Sequence, residues 1–247
     1  MSKTIIIIPS RLAAKRLPNK PLLKINKKTI ISIVYKKALR TKLGEVYVAT
    51  GDKKIYDEIK SIRGKCILTK KHHKTGSDRI FEALEILGNK KKYKYVLNIQ
   101  GDEPMFNILD VKNLHKQAIK KNFRMGTLAC KLVDENKLMN KNVVKVETKK
   151  KLFIGSTSIA DGFHRAINPK IKNNIYHHIG VYIYQLSILK KIFHLKQTYS
   201  EKKLKLEQLR PLENFIPINV VLAKKVPIGV DTKKDYNFVR KLLEKKN

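Results

Sequence analysis

Short apolar runs alternate with stretches in which apolar residues recur every three to four positions. The runs are typical of buried strands, whereas Ile30, Ile33, Val34 and Ala38 have the spacing of one helix face. The predicted strands are IIIIPS, GEVYVAT, KCILT and YKYVLNIQG. The predicted helices are TIISIVYKKALRT, KKIYDEIKSIR, SDRIFEALEILGN and ILDVKNLHKQAIKKN. This alternation predicts βαβ units and a mostly parallel sheet with helices on both faces.

Beyond about residue 125 the apolar runs follow one another more closely. They predict four successive strands, MGTLACKLV, NVVKVET, LFIGSTS and HHIGVYIYQ. The helix LSILKKIFH, the segment KLEQLRPLENF, the strand NVVLAKKV and the final helix DTKKDYNFVRKLLEKK follow. The chain contains no internal repeat and no Gly/Ser linker. We therefore predict one α/β domain over residues 1–247, with a β-rich second half.

The net charge of +35 raises the possibility of a nucleic-acid-binding protein. Only nine of the 55 basic residues are arginine, however, and the lysines are scattered over the whole length. Proteins that read bases or grip phosphates favour arginine, because its planar guanidinium forms two parallel hydrogen bonds. A general lysine bias therefore explains the charge better, although the resulting field would still attract anionic substrates.

Composition also limits where the protein works. Hydrophobic residues make up 42% of the chain, which is enough for a packed core. Cys66 and Cys130 lie in apolar runs and are interpreted as reduced core residues. No apolar stretch approaches the length of a membrane span, and residues 5–8 are too short for the core of a signal peptide. We expect a cytoplasmic protein without a membrane partner.

Three polar loops follow predicted strands. They are PSRLAAKRLPNKPL after the first strand, HHKTGSDR at 72–79, and QGDEP at 100–104. In open α/β sheets, ligands bind beyond the carboxyl ends of the strands. All three loops are therefore expected on one edge of the sheet.

The first of these loops carries the cations Arg11, Lys15, Arg16 and Lys20. Arginine binds phosphate oxygens in pairs, whereas lysine places a compact charge at one point, so the set suits a triphosphate. A solvated basic turn is the alternative interpretation. The loop is not a P-loop, because the sequence contains no G-x-x-x-x-G-K-[ST].

Two aspartates are candidates for binding Mg²⁺. Asp102 ends an apolar strand in QGDEP, and Asp231 follows a strand-like run in PIGVDT. Carboxylates suit Mg²⁺ when phosphate oxygens complete its coordination. The alternatives are an ordinary turn for Asp102 and a helix N-cap for Asp231. In the middle loop, residues 75–77 open a helix whose free N–H groups could bind a base or a phosphate, or could form an ordinary cap.

Together these stretches resemble the sugar-acid cytidylyltransferases. PSRLAAKRLPNKPL is similar to the opening P-A-R-x-x-S-x-R-L-P-G-K-P-L of that family. The resemblance continues, in order, through TKKHHKTGSDR, VLNIQGDEPM, HHIGVYIY, LEQLR and VPIGVDTKKDY, and so covers nearly the whole chain. It implies a Rossmann-like nucleotide-diphospho-sugar transferase fold, with residues 1–125 binding nucleotide and 126–247 serving sugar binding and dimerisation.

The resemblance also implies an activity. CMP would pass from CTP to 3-deoxy-manno-octulosonate (Kdo), with Mg²⁺ as cofactor and pyrophosphate as second product, for lipopolysaccharide assembly. The expected assembly is a homodimer. The implied roles fall into four groups: Arg11, Arg16 and Lys20 for the phosphates; Asp102 and Asp231 for Mg²⁺; Thr75, Gly76, Ser77, Arg79 and Gln100 for the rest of CTP; and His178, Tyr184, Glu207, Gln208 and Arg210 for the sugar acid. Core packing is the better interpretation of Tyr182.

The sequence departs from the family pattern in two regions. In the first loop, Asn19 replaces a glycine and Ala14 replaces a serine. In GSTSIADG, Ser156 and Ala160 stand where the family has the arginine and proline of S-R-x-x-I-P. Loss of a charged substrate contact can change substrate preference. A related acid, such as 8-amino-Kdo or another nonulosonate, is therefore the alternative substrate.

Overall fold

The computed structural model describes residues 3–13, 16–73, 75–88, 92–132, 136–167 and 174–245. The chain divides into two compact units. The first contains residues 1–108 and 227–247, and the second contains residues 109–226. The C-terminal segment thus belongs with the nucleotide-binding candidates, which the sequence pattern did not indicate. A single functional domain stays a prediction.

The helices and strands largely follow the predicted alternation. The strands are β1 (Thr4–Ser10), β2 (Lys24–Ile25), β3 (Lys28–Thr29), β4 (Glu45–Thr50), β5 (Cys66–Leu68), β6 (Tyr95–Asn98), β7 (Met125–Lys131), β8 (Lys145–Thr148), β9 (Thr157–His164), β10 (Ile175–Gln185) and β11 (Ile218–Leu222). The helices are α1 (Ile30–Leu39), α2 (Lys53–Ser61), α3 (Gly76–Leu87), α4 (Ile108–Lys120), α5 (Asn136–Met139), α6 (Leu186–His194), α7 (Tyr199–Leu204), α8 (Leu209–Glu213) and α9 (Lys233–Glu244). A 3-10 turn covers Lys20–Leu22.

The first unit is built on a parallel sheet with the strand order β5-β4-β1-β6. Strand β1 lies between β4 and β6, and the side chains of residues 5–8 are fully buried. The chain winds outwards from β1 through β4 to β5 and then returns to the other side of β1. The strand order therefore reverses at β1, and such a reversal opens a ligand crevice at the carboxyl end of the strand.

The second unit is β-rich, as predicted, and mainly antiparallel. Its strand order is β10-β7-β11-β9-β8, and only the β7–β11 pair is parallel. Strand β8 also pairs with β10, so the five strands close into a ring of pairings. Between Ile179 and Tyr182, on either side of the glycine of HHIGVYIYQ, the register of β10 against β7 shifts.

Several local predictions need correction. LFIGSTS is not a strand: β9 begins at Thr157, and Gly155 has a φ of 84° in the preceding turn. The N-cap of α3 is Thr75, not the predicted Ser/Asp pair, and its side chain accepts a hydrogen bond from the amide of Asp78. The final helix begins as predicted, because Thr232 and Asp235 form a reciprocal capping box.

Both cysteines are free, and Cys130 is buried while Cys66 is half-buried. Burial raises the pKa of the Cys66 thiol to about 12, so the thiol stays protonated. No helix in the described part of the chain has both the length and the apolar character needed to cross a bilayer.

One carboxylate joins three elements of the first unit at the start of β4. Glu45 accepts hydrogen bonds from Lys65 at 2.9 Å, Tyr47 at 3.0 Å and Tyr93 at 2.9 Å, and it also pairs with Lys92. The bonds from Lys92 and then Lys65 lower the pKa of Glu45 far below its ordinary value, and they outweigh the opposing effect of burial. Folding therefore favours the ionised form of this carboxyl.

The Glu45 cluster predicts a pH-dependent loss of stability. We expect Glu45→Gln to lower the free energy of unfolding by about 1 kcal/mol at neutral pH, since the lysines are solvent-screened. Because the folded pKa is depressed, this contribution is complete above the unfolded pKa, near 4.5, and disappears as pH falls through the folded pKa. Urea unfolding from pH 3 to 8 measures it. The control Glu244→Gln, which among the described residues removes a single 3.9 Å surface pair, should change little; a pH-independent loss would contradict the prediction.

Candidate active site

The loops that follow the four parallel strands of the first unit lie on one edge of its sheet. The sequence predicted this for the loops after β1, β5 and β6, and the parallel pairing confirms it. Gly101 brings QGDEP close to β1: a Cβ atom at this position would lie 3.0 Å from the carbonyl oxygen of Pro9 and 3.2 Å from the Cβ of Ser10. A larger residue would push Asp102 away from the end of β1.

A buried lysine lies at the centre of this edge. The Nζ of Lys20 donates to Oδ2 of Asp102 at 2.5 Å and to Oδ1 of Asp231 at 3.0 Å. Arg16 contacts the other oxygen of Asp231 at 3.1 Å. Lys20 is only 8% exposed, whereas Arg16 and Asp231 face solvent. The structure thus brings together four of the five residues assigned to phosphates and Mg²⁺.

The electrostatics of this group keep Lys20 charged. Burial alone would lower its pKa, but the attraction of Asp102 and Asp231 outweighs burial and raises it. The neighbouring Glu103, which the sequence analysis did not select, responds in the opposite way. Burial, and then repulsion from the two aspartates, raise the pKa of Glu103 to about 8, and its buried Oε2 atom has no hydrogen-bond partner among the described residues.

The fifth residue, Arg11, is exposed at the start of the loop after β1. The adjacent amide of Leu12 donates to Oδ2 of Asp52 at 2.8 Å, and the amide of Asp52 donates to the hydroxyl of Thr50 at 3.1 Å. Asp52 therefore fixes the backbone beside Arg11. Asp52 was not predicted from the sequence. It nevertheless follows the carboxyl end of β4, just as the predicted loops follow β1, β5 and β6. Ala14 and Lys15 lie outside the described residues.

The nucleotide-binding candidates surround the start of α3. Thr75 caps the helix, Gly76 is its first residue, and the hydroxyls of Thr75 and Ser77 are 3.2 Å apart. Gln100 donates to Oδ1 of Asn98 at 3.5 Å, which is the limit of a hydrogen bond. Thr75 and Ser77 are buried and Gln100 is half-buried, and contact of this group with a nucleotide stays a prediction.

Arg79 belongs to the same predicted set but is only 4% exposed. Its guanidinium donates to the hydroxyl of Thr69 at 2.5 Å and to the carbonyl oxygens of Lys70 and Lys71 at 3.1 Å. Burial lowers the pKa of Arg79. This geometry gives Arg79 the task of holding the loop after β5.

Among the sugar-acid candidates, His178 is buried in the second unit. Its Nε2 lies 3.1 Å from the hydroxyl of Thr127, which also donates to the carbonyl oxygen of Val181 at 2.9 Å. Burial, and then the charge of His177, lower the pKa of His178 to about 3, so the imidazole is neutral. Tyr182 stacks between His178 and Tyr184, with ring centroids 5.4 and 5.9 Å away, which agrees with core packing.

The LEQLR segment separates into three environments. Glu207 is exposed and Gln208 is buried. Arg210 is 2% exposed and forms a two-point ion pair with Glu201, at 2.9 Å from Nε and 2.6 Å from an Nη. The guanidinium of Arg210 therefore anchors α7, and Glu201 is the partner that sequence reasoning missed. The assignment of Arg210 to the sugar acid stays a prediction.

A family model described as Cytidylyltransferase matches residues 5–218.

The chain belongs to the cytidylyltransferase family.

Two relatives and two solved structures illustrate the likeness. The 3-deoxy-manno-octulosonate cytidylyltransferase of Bartonella henselae is 36% identical over 97% of this chain and 98% of its own. That of Thermodesulfovibrio yellowstonii is 37% identical over 97% and 98%. A CMP:2-keto-3-deoxy-manno-octonic acid synthetase complexed with CTP matches with a TM-score of 0.88 and 30% identity over all of both chains. UDP-glucose pyrophosphorylase, at 16% identity and a TM-score of 0.71 over all of both chains, shares the fold. The predicted nucleotide-diphospho-sugar transferase fold is thus confirmed.

Ser156, which departs from the family pattern, forms hydrogen bonds to the backbone of its own turn. The Ser156 hydroxyl accepts from the amide of Phe153 at 2.8 Å and lies 2.9 Å from the carbonyl oxygen of that residue. Ala160 is buried in β9. The serine closes the turn before β9, and its short side chain places no cation there.

The Asp52 contact predicts local loosening of the loop that carries Arg11. In Asp52→Ala, we expect the Leu12 amide to exchange with solvent hydrogen about tenfold faster, because it loses a hydrogen bond to a charged acceptor. Amide exchange followed by NMR measures this. Asp57→Ala removes an exposed carboxylate from the adjacent helix and should leave Leu12 unchanged. Equal exchange in both variants would refute the anchoring role.

Proposed function

We propose that this cytidylyltransferase transfers CMP from CTP to Kdo and releases pyrophosphate, supplying lipopolysaccharide assembly. The observation that carries the proposal is the group formed by Arg16, Lys20, Asp102 and Asp231 at the carboxyl end of β1. Its cations suit a triphosphate and its carboxylates suit a metal ion. The full-length likeness to Kdo cytidylyltransferases supports the choice of sugar.

We assign binding of the CTP phosphates to the first unit. Arg11 and Arg16 are exposed, so their guanidiniums can bind the outer phosphates and stabilise pyrophosphate as it leaves. Lys20 is held in place by two carboxylates and is protonated, so its charge is already positioned for the α-phosphate. Phosphoryl-type transfer depends mainly on such positioning and charge stabilisation.

Asp102 and Asp231 fit a Mg²⁺ ion. Both accept from one Nζ atom, so their oxygens are no more than two hydrogen-bond lengths apart. The described residues contain no group of three or more His, Cys, Asp or Glu suited to a metal, and Mg²⁺ commonly takes only one or two protein carboxylates beside substrate phosphates. When bound, Mg²⁺ would neutralise phosphate charge and lower the pKa of the attacking sugar hydroxyl.

The remaining candidates divide between cytosine with ribose and the sugar acid. For the nucleotide we assign Thr75, Gly76, Ser77 and Gln100, with Arg79 holding their neighbouring loop. For the sugar acid we assign His178, Tyr184, Glu207 and Gln208 in the second unit. Neutral His178 can donate or accept one hydrogen bond but supplies no charge to the sugar carboxylate. A homodimer and a cytoplasmic location complete the proposal and rest on the resemblance.

The substrate is tested by pyrophosphate release from CTP and Mg²⁺ with Kdo, 8-amino-Kdo and other nonulosonates, each against a reaction without sugar acid. We expect release with Kdo, because the family likeness extends over the whole chain. Release only with another acid would keep the chemistry and replace the substrate, and the Ser156 turn is the observation that favours this second candidate. No release with any acid would reject the function.

Removing the central charge should stop the reaction without unfolding the chain. We expect Lys20→Met to lower kcat by roughly 100-fold or more, the usual loss for one charge-stabilising group. Lys53→Met is the matched control, since Lys53 is exposed and contacts only its helix neighbours Asp57 and Tyr56 among the described residues. Thermal unfolding of both variants separates catalysis from stability, and an active Lys20→Met enzyme would refute the assignment.

The metal assignment makes a separate prediction. Asp102→Asn removes one of two carboxylates, so we expect the Mg²⁺ concentration for half-maximal activity to rise by about tenfold or more. Direct Mn²⁺ binding, followed by electron paramagnetic resonance with CTP present, should weaken in parallel. Asp78→Asn, which alters a carboxylate near the start of α3, is the control. Unchanged metal binding in Asp102→Asn would show that another group holds the ion.

A further inference from the structure

Lys145 on β8 is a lysine with no exposed surface. Its Nζ donates to the carbonyl oxygens of Asn140 and Val143 at 2.8 Å and of Arg165 at 2.7 Å. An ammonium group has three protons, and each has an acceptor here. None of these partners is a carboxylate. Lys145 therefore joins the 140–143 turn to the end of β9 by main-chain contacts.

Burying the Lys145 ammonium group costs free energy, which indicates that its geometry serves a purpose. Burial lowers the pKa of Lys145, and the nearby charge of Arg165 lowers it further. An apolar side chain would avoid both effects but could not hold three carbonyl groups at once. The lysine thus fixes a backbone arrangement that packing alone does not specify.

Arg165 extends the connection to α7. Its Nε donates to the carbonyl oxygen of Leu204 at 3.0 Å, and its Nη atoms donate to those of Lys205 at 3.1 Å and Lys141 at 3.3 Å. Leu204 is the last residue of α7, and Lys205 ends the helix in a left-handed conformation with φ 54°. Helix carbonyls without intrahelical partners are favourable acceptors for a cation. Arg165 therefore fixes the end of α7.

The residues proposed to bind the sugar acid follow this point directly. Glu207 and Gln208 lie between Lys205, which Arg165 holds, and Arg210, which is paired with Glu201 inside the unit. This short segment is thus anchored at both ends by guanidinium groups.

The same connection borders the second group of sugar-acid candidates. The amide of His178 donates to the carbonyl oxygen of Val144 at 2.9 Å, and Lys145 is paired with His177 across the β8–β10 ladder. Lys145 and Arg165, which we name the main-chain brace, therefore contact the backbone next to both groups.

We propose that the main-chain brace positions the sugar acid: Lys145 and Arg165 act as positioning residues that hold the backbone carrying His178 and Glu207–Gln208 in register. This inference rests on the proposed transfer of CMP to Kdo. Neither residue has to touch substrate, since their donors bind carbonyl oxygens. The effect of losing the brace should consequently fall on the sugar acid and spare CTP.

Steady-state kinetics of Arg165→Gln test the brace. We expect the KM for Kdo to rise about tenfold while kcat and the KM for CTP stay within about twofold, the pattern of lost substrate binding. Arg165→Lys keeps the charge and one donor group, so it should recover part of the affinity. Gln185→Ala, which removes two hydrogen bonds to Asn122 elsewhere in the unit, should leave both KM values unchanged. An unchanged KM for Kdo, or equal rises for both substrates, would overturn the inference.

Hydrogen exchange without substrate separates this inference from the proposed function. We expect the amides of residues 204–208 to exchange faster in Arg165→Gln, and those of 140–143 to do so in Lys145→Met if that variant folds. If the wild type releases no pyrophosphate with any sugar acid, the proposed function fails while the exchange data still judge the brace. Unchanged exchange at 204–208 in Arg165→Gln would overturn it in either case.

Discussion

One ammonium group organises the first unit. Lys20 bonds to Asp102, 82 residues further along the chain, and to Asp231, 211 residues further. Asp102, Asp231 and Glu103 would repel one another without a cation between them, and the pKa of Glu103 is raised first by burial and then by that repulsion. The loop after β1, the QGDEP loop and the segment before α9 are thus arranged around one positive charge.

Two buried lysines, one in each unit, have different kinds of partner. In the first, Lys20 is bound by carboxylates at an edge that solvent reaches, so a phosphate or a metal ion can exchange with those partners. In the second, Lys145 is bound by main-chain carbonyl groups, which belong to the fold and cannot leave. Of these two lysines, the one paired with carboxylates lies at the proposed phosphate and metal site, and the one bound by carbonyl groups holds the backbone.

The parts of the fold and of the candidate site that could be predicted from the sequence are those that depend on local sequence pattern. The spacing of apolar residues predicted the strands of the parallel sheet. The tendency of ligands to bind beyond the carboxyl ends of such strands then pointed to Lys20, Asp102 and the start of α3. LFIGSTS failed because a positive φ at Gly155 turns the chain where apolar residues suggested a strand. The burial of Arg210 and Lys145 could not be predicted for another reason: a charged residue in a sequence suggests a surface position, and only the folded chain supplies Glu201 or the three carbonyl groups that permit burial.

The first unit is formed from two segments that are far apart in the sequence, and this has a consequence for its synthesis. Residues 227–247 complete this unit, yet the ribosome makes them only after the whole second unit. A nascent chain therefore contains the basic loop and Asp102 long before Asp231 is synthesised and can bind Lys20. Assembly of the complete charge cluster is therefore delayed until translation has passed residue 231.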